Sequence, residues 1–441
     1  MPYTEMGKTE LKLTLIAQHA KREPEMQFIS LAHLLNKDFL RQNFYSLNRN
    51  KAKGLDNVGW NEYNINLEEN LISLVNRLKT KKYKPIPARR VYIPKENGEK
   101  RPLGISAIEN KIVEKSVSKI LESIYEQDFS DMSYGFRPDR DCHQALCELN
   151  KQVMEKPVNH IVEADIKGFF DNVSHEHLIK FLKIRIKDSS ILHLIGKFLK
   201  AGYVYDALLY TSDKGTPQGS ILSPLLANVF LHYVLDIWFE TTVKEHTVGY
   251  CELIRYCDDF VCVVQYGNDA TRIEMALVNR FRSFGLEVHP EKSRKFSFGR
   301  FESKNSKTKN RKANTFDFLG FTHFCDITRR GKFKLGRKTS YRRLTSKCSK
   351  MTKWLKDIRN KKKPKEWWDT LKAKLRGHFQ YYGISGNYRC LKAFYRHTIR
   401  ELYKWLNRRS QKSSMCWKNF SKYLETYPLP TPKIVHNFYT W

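Results

Sequence analysis

Acidic residues are scarce in this chain of 441 residues. Asp and Glu number 46 against 79 Lys and Arg, a formal net charge of +33. Such an excess repels itself in a compact state unless a polyanion neutralises it. Closely paired cysteines are missing too. Nine cysteines lie scattered with no C-x-x-C pair, and the nearest, Cys142/Cys147 and Cys257/Cys262, exceed most zinc-finger spacings. The pattern fits reduced thiols in a cytosolic protein. An uninterrupted long apolar run is also absent. The most apolar stretch, Ile221 to Phe239, is broken by Pro224, Asn228, His232 and Asp236, so it reads as a buried helix rather than a membrane span. The first 26 residues hold no apolar run of the signal-peptide kind, and no secretion signal is expected.

What is present points to a folded binder of nucleic acid. Hydrophobic residues make up 41% of the chain, enough for real cores, and aromatic residues make up 13%, offering stacking surfaces. A membrane-surface protein concentrates its charge on one amphipathic segment, whereas here the charge runs through the chain. The first 85 residues read as mainly helical, with apolar residues at three- and four-residue intervals through FISLAHLLNKDFLRQNF and a glycine-bearing break at Lys51 to Asn57. Short β-branched runs alternate with helical ones from Pro85 to Phe324, an α+β pattern. The polar tract from Glu302 to Asn314 reads as a disordered insertion or a mobile loop. Beyond it the composition changes: from Arg329 to Lys412, 28 basic residues stand against 4 acidic ones.

Tyr256-Cys257-Asp258-Asp259 lies between the β-prone runs LIR and FVCVV and predicts the tight turn of a hairpin. Adjacent carboxylates repel unless they share a cation. Upstream, HIVEAD is a second strand ending in a carboxylate, Asp165. Polymerase-type phosphoryl transfer uses two divalent ions held by hard oxygen ligands, which suits Mg²⁺. Asp165, Asp258 and Asp259 are therefore the expected metal ligands and catalytic residues. Between them lies GTPQGSILSPLL, where Ser223 as N-cap and Pro224 in the first turn would launch the apolar helix. The glycines there would let backbone approach a bound base pair.

In this order the motifs VYIPKENGEKRPLGI, YGFRPDRDCHQAL, VEADIKGFFDNVSHEHL, GTPQGSILSPLLANVFLHYVLD, LIRYCDDFVCVV, LEVHPEKS and FDFLGF resemble the fingers and palm blocks of group II intron-encoded reverse transcriptases. LRGHFQYYGISGN resembles that family's maturase-specific X, or thumb, region, and the likeness runs over roughly residues 28 to 441. The resemblance implies an α+β right-hand polymerase followed by an all-helical thumb. Its divisions would be a helical extension of the fingers at 1–85, fingers and palm at 86–325, and a basic helical maturase domain at 326–441. It further implies Lys95 and Arg101 on the triphosphate, Phe170 excluding a ribose 2′-hydroxyl, Gln218 against the templating pair, and Lys292 protonating pyrophosphate. Implied partners are RNA template or intron RNA, a DNA primer or target, and deoxynucleoside triphosphates, with two Mg²⁺ ions and no membrane. The implied setting is the bacterial cytoplasm, at the nucleoid when on DNA.

Two departures stand out. Cys257 occupies a position where the family usually has alanine, a small apolar exchange that should fit. No Cys/His spacing matches the endonuclease of many relatives, so something else would supply a DNA primer end. Near the C-terminus, Leu391, Tyr395, Ile399, Leu402 and Leu406 form the expected apolar face of a helix. Lys392, Arg396, Arg400, Lys404 and Arg408 form a basic stripe beside it, with Glu401 the sole acidic neighbour, and phosphate binding is expected there. Two rivals keep the same motifs: a domesticated relative acting in DNA repair or phage defence, and a maturase that only binds RNA. Intact Asp165, Asp258 and Asp259 argue against the second.

Overall fold

The computed structural model describes residues 8–94, 98, 100–211, 213–308, 310–409 and 414–438. The chain forms two compact units. One comprises Met1–Ala145 with Val162–Lys295, the other Leu146–Ile161 with Phe296–Trp441. These units cut across the linear divisions at 85 and 325, because the second takes in a short segment before residue 162 and all strands after residue 296.

The first unit opens with helices Lys8–Arg22, Lys37–Tyr45, Trp60–Ile65 and Leu67–Lys79. The apolar spacing from Phe28 does not give one continuous helix. The Asp188 carboxylate takes the N–H groups of Leu31 and Ala32, and Asn36 caps a new helix by accepting from Phe39. Strands β1 (Ala88–Pro94), β2 (Lys100–Ile105), β3 (His160–Asp165), β4 (Tyr203–Tyr205), β5 (Leu208–Tyr210), β6 (Cys251–Tyr256), β7 (Asp259–Val264) and β8 (Arg294–Ser297) follow in chain order. They make two four-stranded sheets, ordered β2-β1-β4-β5 and β6-β7-β3-β8. Strands β6 and β7 are buried along nearly their whole length, which suits the apolar run of β7, while β6 carries the charged Glu252 and Arg255 inside.

The apolar stretch after Ile221 is a buried helix. It begins as an α-helix at Ser223–Leu231 and runs on through wider turns at His232–Asp236 and Phe239–Val243. Among the described residues no helix is long and apolar enough to cross a membrane. Ser223 is not the N-cap: Leu222 holds that position, and the Ser223 hydroxyl instead donates to the Pro217 carbonyl at 2.9 Å.

The second unit carries β9 (Thr315–Phe318), β10 (Phe321–Ile327) and β11 (Phe333–Thr339) in a sheet ordered β11-β10-β9. Helices Tyr341–Ile358, Pro364–Tyr382, Tyr388–Asn407 and Trp417–Thr426 follow. Asn387 ties sheet to helices: its carboxamide accepts from Thr339 N–H at 2.7 Å and donates to the Thr339 hydroxyl and the Tyr382 carbonyl, both at 2.8 Å. The polar tract after Phe301 is not an open loop. It forms a helix at Glu302–Thr308, and the buried Glu302 carboxylate accepts from Arg311 at 2.6 Å and from the Asn314 N–H at 2.9 Å. One buried acid thus folds a segment whose composition reads as disorder.

Candidate active site

Asp258 sits in the expected place. Tyr256 pairs with Asp259 across β6 and β7, leaving Cys257 and Asp258 as a two-residue hairpin loop. Cys257 takes the left-handed conformation, φ +59°, that such a turn demands and that a side chain ordinarily avoids. Its neighbour across the fold is Gly135. A Cβ at that glycine would lie 2.4 Å from the Cys257 nitrogen, so only glycine lets YGFRP lie against the turn.

Burial raises the Asp258 carboxyl above its ordinary range. The Cys257 thiol and the Arg101 guanidinium pull it back down, while the Asp165 charge pushes it further up. Asp165 and Arg101 are therefore each within electrostatic reach of Asp258. Burial drives the Cys257 thiol up to about 12, so it remains protonated as a hydrogen-bond donor. Asp259, the first residue of β7, is exposed.

The end of β3 is lined by the LEVHPEKS segment. His289 N–H donates to the Asp165 carbonyl at 2.7 Å, and the Lys292 ammonium meets the Asp165 carboxylate at 2.7 Å. Lys292 thus lies beside a carboxylate expected to bind metal. Among the described residues no group of three or more His, Cys, Asp and Glu is arranged to hold a metal ion. The donor set nevertheless fits one in kind. A half-exposed Asp165, a half-buried Asp258 whose negative form is disfavoured, and an exposed Asp259 are hard oxygen donors of the kind that hold Mg²⁺.

The GTPQG loop is held from three sides. Thr216 N–H donates to the Phe170 carbonyl at 2.7 Å and Gly215 N–H to the Val173 carbonyl at 2.8 Å. Gly104 N–H of β2 donates to the Gln218 carbonyl at 2.6 Å, and a Cβ at Gly219 would lie 2.3 Å from the Gly104 carbonyl. The close approach permitted by glycine here is thus to a strand of the same chain. From that loop the Gln218 carboxamide accepts from Arg101 at 3.2 Å and donates to Asp171 at 3.3 Å. Arg101 and Gln218, assigned separately from the sequence, are joined by the first of these hydrogen bonds. Phe170 is partly buried against the core and meets Phe169 edge to face, ring centroids 5.4 Å apart. Lys95 lies outside the described residues.

Three participants carry no mark in a linear reading: Asp171, Glu114 and Arg255. Glu114 is wholly inside the protein and accepts from the Ile221 N–H at 2.8 Å and the Ser106 hydroxyl at 3.1 Å, anchoring the far end of the GTPQGS loop. Burial lifts its carboxyl to about 7. A charged residue inside an apolar periodic run was the available signal, since a buried charge has to be paired or neutralised.

In the second unit, Lys392, Arg396, Arg400, Lys404 and Arg408 are all exposed on or at the end of the Tyr388–Asn407 helix. The buried face is not quite the expected one. Leu391, Phe394, Thr398, Leu402 and Trp405 are buried, while Tyr395, Ile399 and Leu406 are only half-buried. Trp405 shifts the stripe: it is held by Glu401 at 2.9 Å, and both Lys404 and Arg408 lie over its ring.

Comparison with known proteins agrees with this geometry. The family profile described as Reverse transcriptase (RNA-dependent DNA polymerase) matches residues 93–323, more than half of the chain. The group II intron-encoded protein LtrA of Lactococcus lactis subsp. cremoris is 44% identical over 192 residues, 43% of this chain and 31% of LtrA. Protein YkfC of Escherichia coli is 36% identical over 243 residues, 48% of this chain and 63% of YkfC. A 91 kDa protein in the cob intron of Schizosaccharomyces pombe is 34% identical over 250 residues, 55% of this chain and 30% of that protein. The matched stretches thus span less than two thirds of each relative. The mixed α/β architecture is consistent with the palm and fingers of such a polymerase. By its match to that profile the chain belongs to the reverse transcriptase family, and the relatives it resembles include a group II intron-encoded protein.

Proposed function

We propose that the chain is an RNA-directed DNA polymerase of the group II intron type, which also binds intron RNA, assists its splicing and serves its retrohoming. The observation that carries this reading is the buried hairpin turn that brings Asp258 within electrostatic reach of Asp165 and Arg101. Two Mg²⁺ ions on Asp165, Asp258 and Asp259 would supply Lewis-acid activation of a primer 3′-hydroxyl and charge neutralisation on the triphosphate.

The remaining roles belong to the protein. Arg101 and Lys95 hold phosphate oxygens, and Gln218, oriented by Arg101 and Asp171, supports the templating pair. Phe170 bounds the sugar side of the nucleotide and favours deoxyribose. Lys292, paired with Asp165 in this structure, would donate a proton to pyrophosphate. The helices after residue 326 serve as thumb and maturase domain, and their basic stripe holds phosphates of RNA or of the template–primer duplex. On this reading the protein works in the bacterial cytoplasm, at the nucleoid when on DNA.

Replacing Asp258 or Asp259 by Ala tests the assignment. Primer extension on an RNA template should be abolished, while RNA binding stays within about twofold of the parent, since phosphate contacts dominate affinity. Near-normal extension by either variant overturns the site.

A further inference from the structure

The carboxylate turn is supported from below by a chain of buried polar groups. Arg255, on β6, is fully buried and makes a two-pronged ion pair with Asp236, Nε to Oδ1 at 2.7 Å and Nη2 to Oδ2 at 2.5 Å. Its Nη1 donates to the Asn228 side-chain oxygen and to the Cys257 carbonyl, both at 3.0 Å. Asn228, also fully buried, donates onward to the Gly135 carbonyl at 2.7 Å. The Arg255 backbone completes the lock: its N–H donates to the Met132 carbonyl at 2.9 Å, and its carbonyl accepts from Tyr134 N–H at 2.9 Å. Three segments far apart in sequence thus meet at Arg255: the helix after Pro224 and the hairpin turn at its guanidinium, and the YGFRP loop at its backbone and through Asn228.

The Cys257 carbonyl belongs to the peptide group whose nitrogen is that of Asp258. Holding that oxygen fixes the peptide plane, and with it the direction in which Asp258 leaves the backbone. The bond also adjoins the left-handed backbone of Cys257, a conformation that persists only where the surrounding contacts hold it. A guanidinium is the one side chain that can satisfy Asp236 with two parallel bonds and still spare donors for two further oxygens. Lysine has the charge but not the planar fork.

We infer that Arg255, braced by Asp236 and Asn228, is a positioning residue that sets the geometry of the Asp258 carboxylate for cation binding. The inference rests on the polymerase reading above. It assigns to three buried residues a role in orienting a carboxylate that they reach only through the Cys257 carbonyl. Outer partners that orient metal ligands alter cation affinity, whereas partners that merely hold a fold together alter stability alone.

The experiment uses the full chain and two substitutions, Arg255→Lys and Asn228→Ala, with Asp259→Ala as reference. Direct binding of Mn²⁺ is followed by the loss of the free-ion EPR signal. It yields an affinity for the sites present, whatever fraction of the protein is folded. Primer extension at saturating template gives kcat, and a filter assay gives template affinity. Arg255→Lys should bind Mn²⁺ about tenfold more weakly, lose about a hundredfold in kcat through misplaced ligands, and keep its template affinity. Asn228→Ala, which spares the ion pair, should shift both in the same direction by less.

If either variant melts earlier but binds Mn²⁺ and turns over as the parent does, the network is only structural and the inference fails. If Arg255→Lys does not fold, Asn228→Ala decides by the same criterion. Should Asp259→Ala itself bind Mn²⁺ and extend primers normally, the polymerase reading fails instead, and the two failures are told apart.

Discussion

The hairpin turn and the basic helix solve opposite problems. At Cys257–Asp258 the groups are buried or nearly so, each held by named donors and acceptors, and a shift of one peptide plane changes the direction of a carboxylate. Along Tyr388–Asn407 the five basic side chains are exposed, and Lys404 and Arg408 rest on the Trp405 ring. Bond-making chemistry requires fixed positions, whereas attraction between cations and phosphates is long-ranged and tolerates movement. Substitutions in the first region should therefore act all at once, and those in the second by degrees.

The largest effect that sharpens this contrast is expected at Glu114. The folded chain holds its proton up to about pH 7, against an ordinary value of 4.5. Between those values the folded state binds more protons than the unfolded one, so this group makes stability fall as pH rises, with no further loss above pH 7. Glu114→Gln removes that dependence. Its stability relative to the parent should grow from nothing near pH 4.5 to about 3 kcal/mol above pH 7. Urea unfolding of both proteins across that range measures it, and the subtraction cancels the opposite slope of His232, whose pKa burial lowers to about 4. Parallel pH curves would show that the GTPQGS loop is anchored by a carboxylate that ionises freely.

Next in size is Phe170→Ala. If the ring bounds the sugar, preference for deoxynucleotides over ribonucleotides should fall by about a hundredfold in matched incorporation assays, a typical limit for a pocket that rejects one hydroxyl. An unchanged ratio with lower stability would move Phe170 from the site to the core, where its contact with Phe169 already places part of it.

On the exposed side, Arg396→Gln with Arg400→Gln should reduce the slope of log affinity against log salt by about one unit per contacting residue, leaving extension at low salt intact. Superimposed lines from variant and parent would remove the stripe from the binding surface. The smallest change is expected from Cys257→Ala, which deletes a thiol hydrogen bond to Asp258. Extension should fall by no more than about fivefold, the size of one neutral hydrogen bond, with a shift in misincorporation. Loss of all activity would mean that the thiol takes part in the chemistry.

Legibility in the sequence follows the same divide. The hairpin could be read because two β-prone runs flank a polar pair, and the buried helix after Pro224 because its apolar run is long. The hydrogen bond between Arg101 and Gln218 was not legible, since they stand far apart in sequence and only the fold brings them together. The Arg255–Asp236 pair was not legible, since nothing local says which acid in an apolar run answers which base. The Ser223 cap was misplaced because its hydroxyl found the Pro217 carbonyl, an acceptor defined only by the folded loop. Helical periodicity located the face of Tyr388–Asn407 to within a fraction of a turn, and the bulk of Trp405 rotated it. Composition misjudged Glu302–Asn314 because a single interior acid outweighs many exterior lysines.

Gly135 gives the hairpin a dependence that no inventory of functional groups would include. It contributes no charge, donor or acceptor from a side chain, yet the space of one methyl group at that point is already filled by the Cys257 backbone. The specification of the site thus includes a hydrogen atom. In a library of variants, position 135 should stay glycine whatever side chain stands at 257, and the smallest possible enlargement there would act as a wedge under the carboxylates.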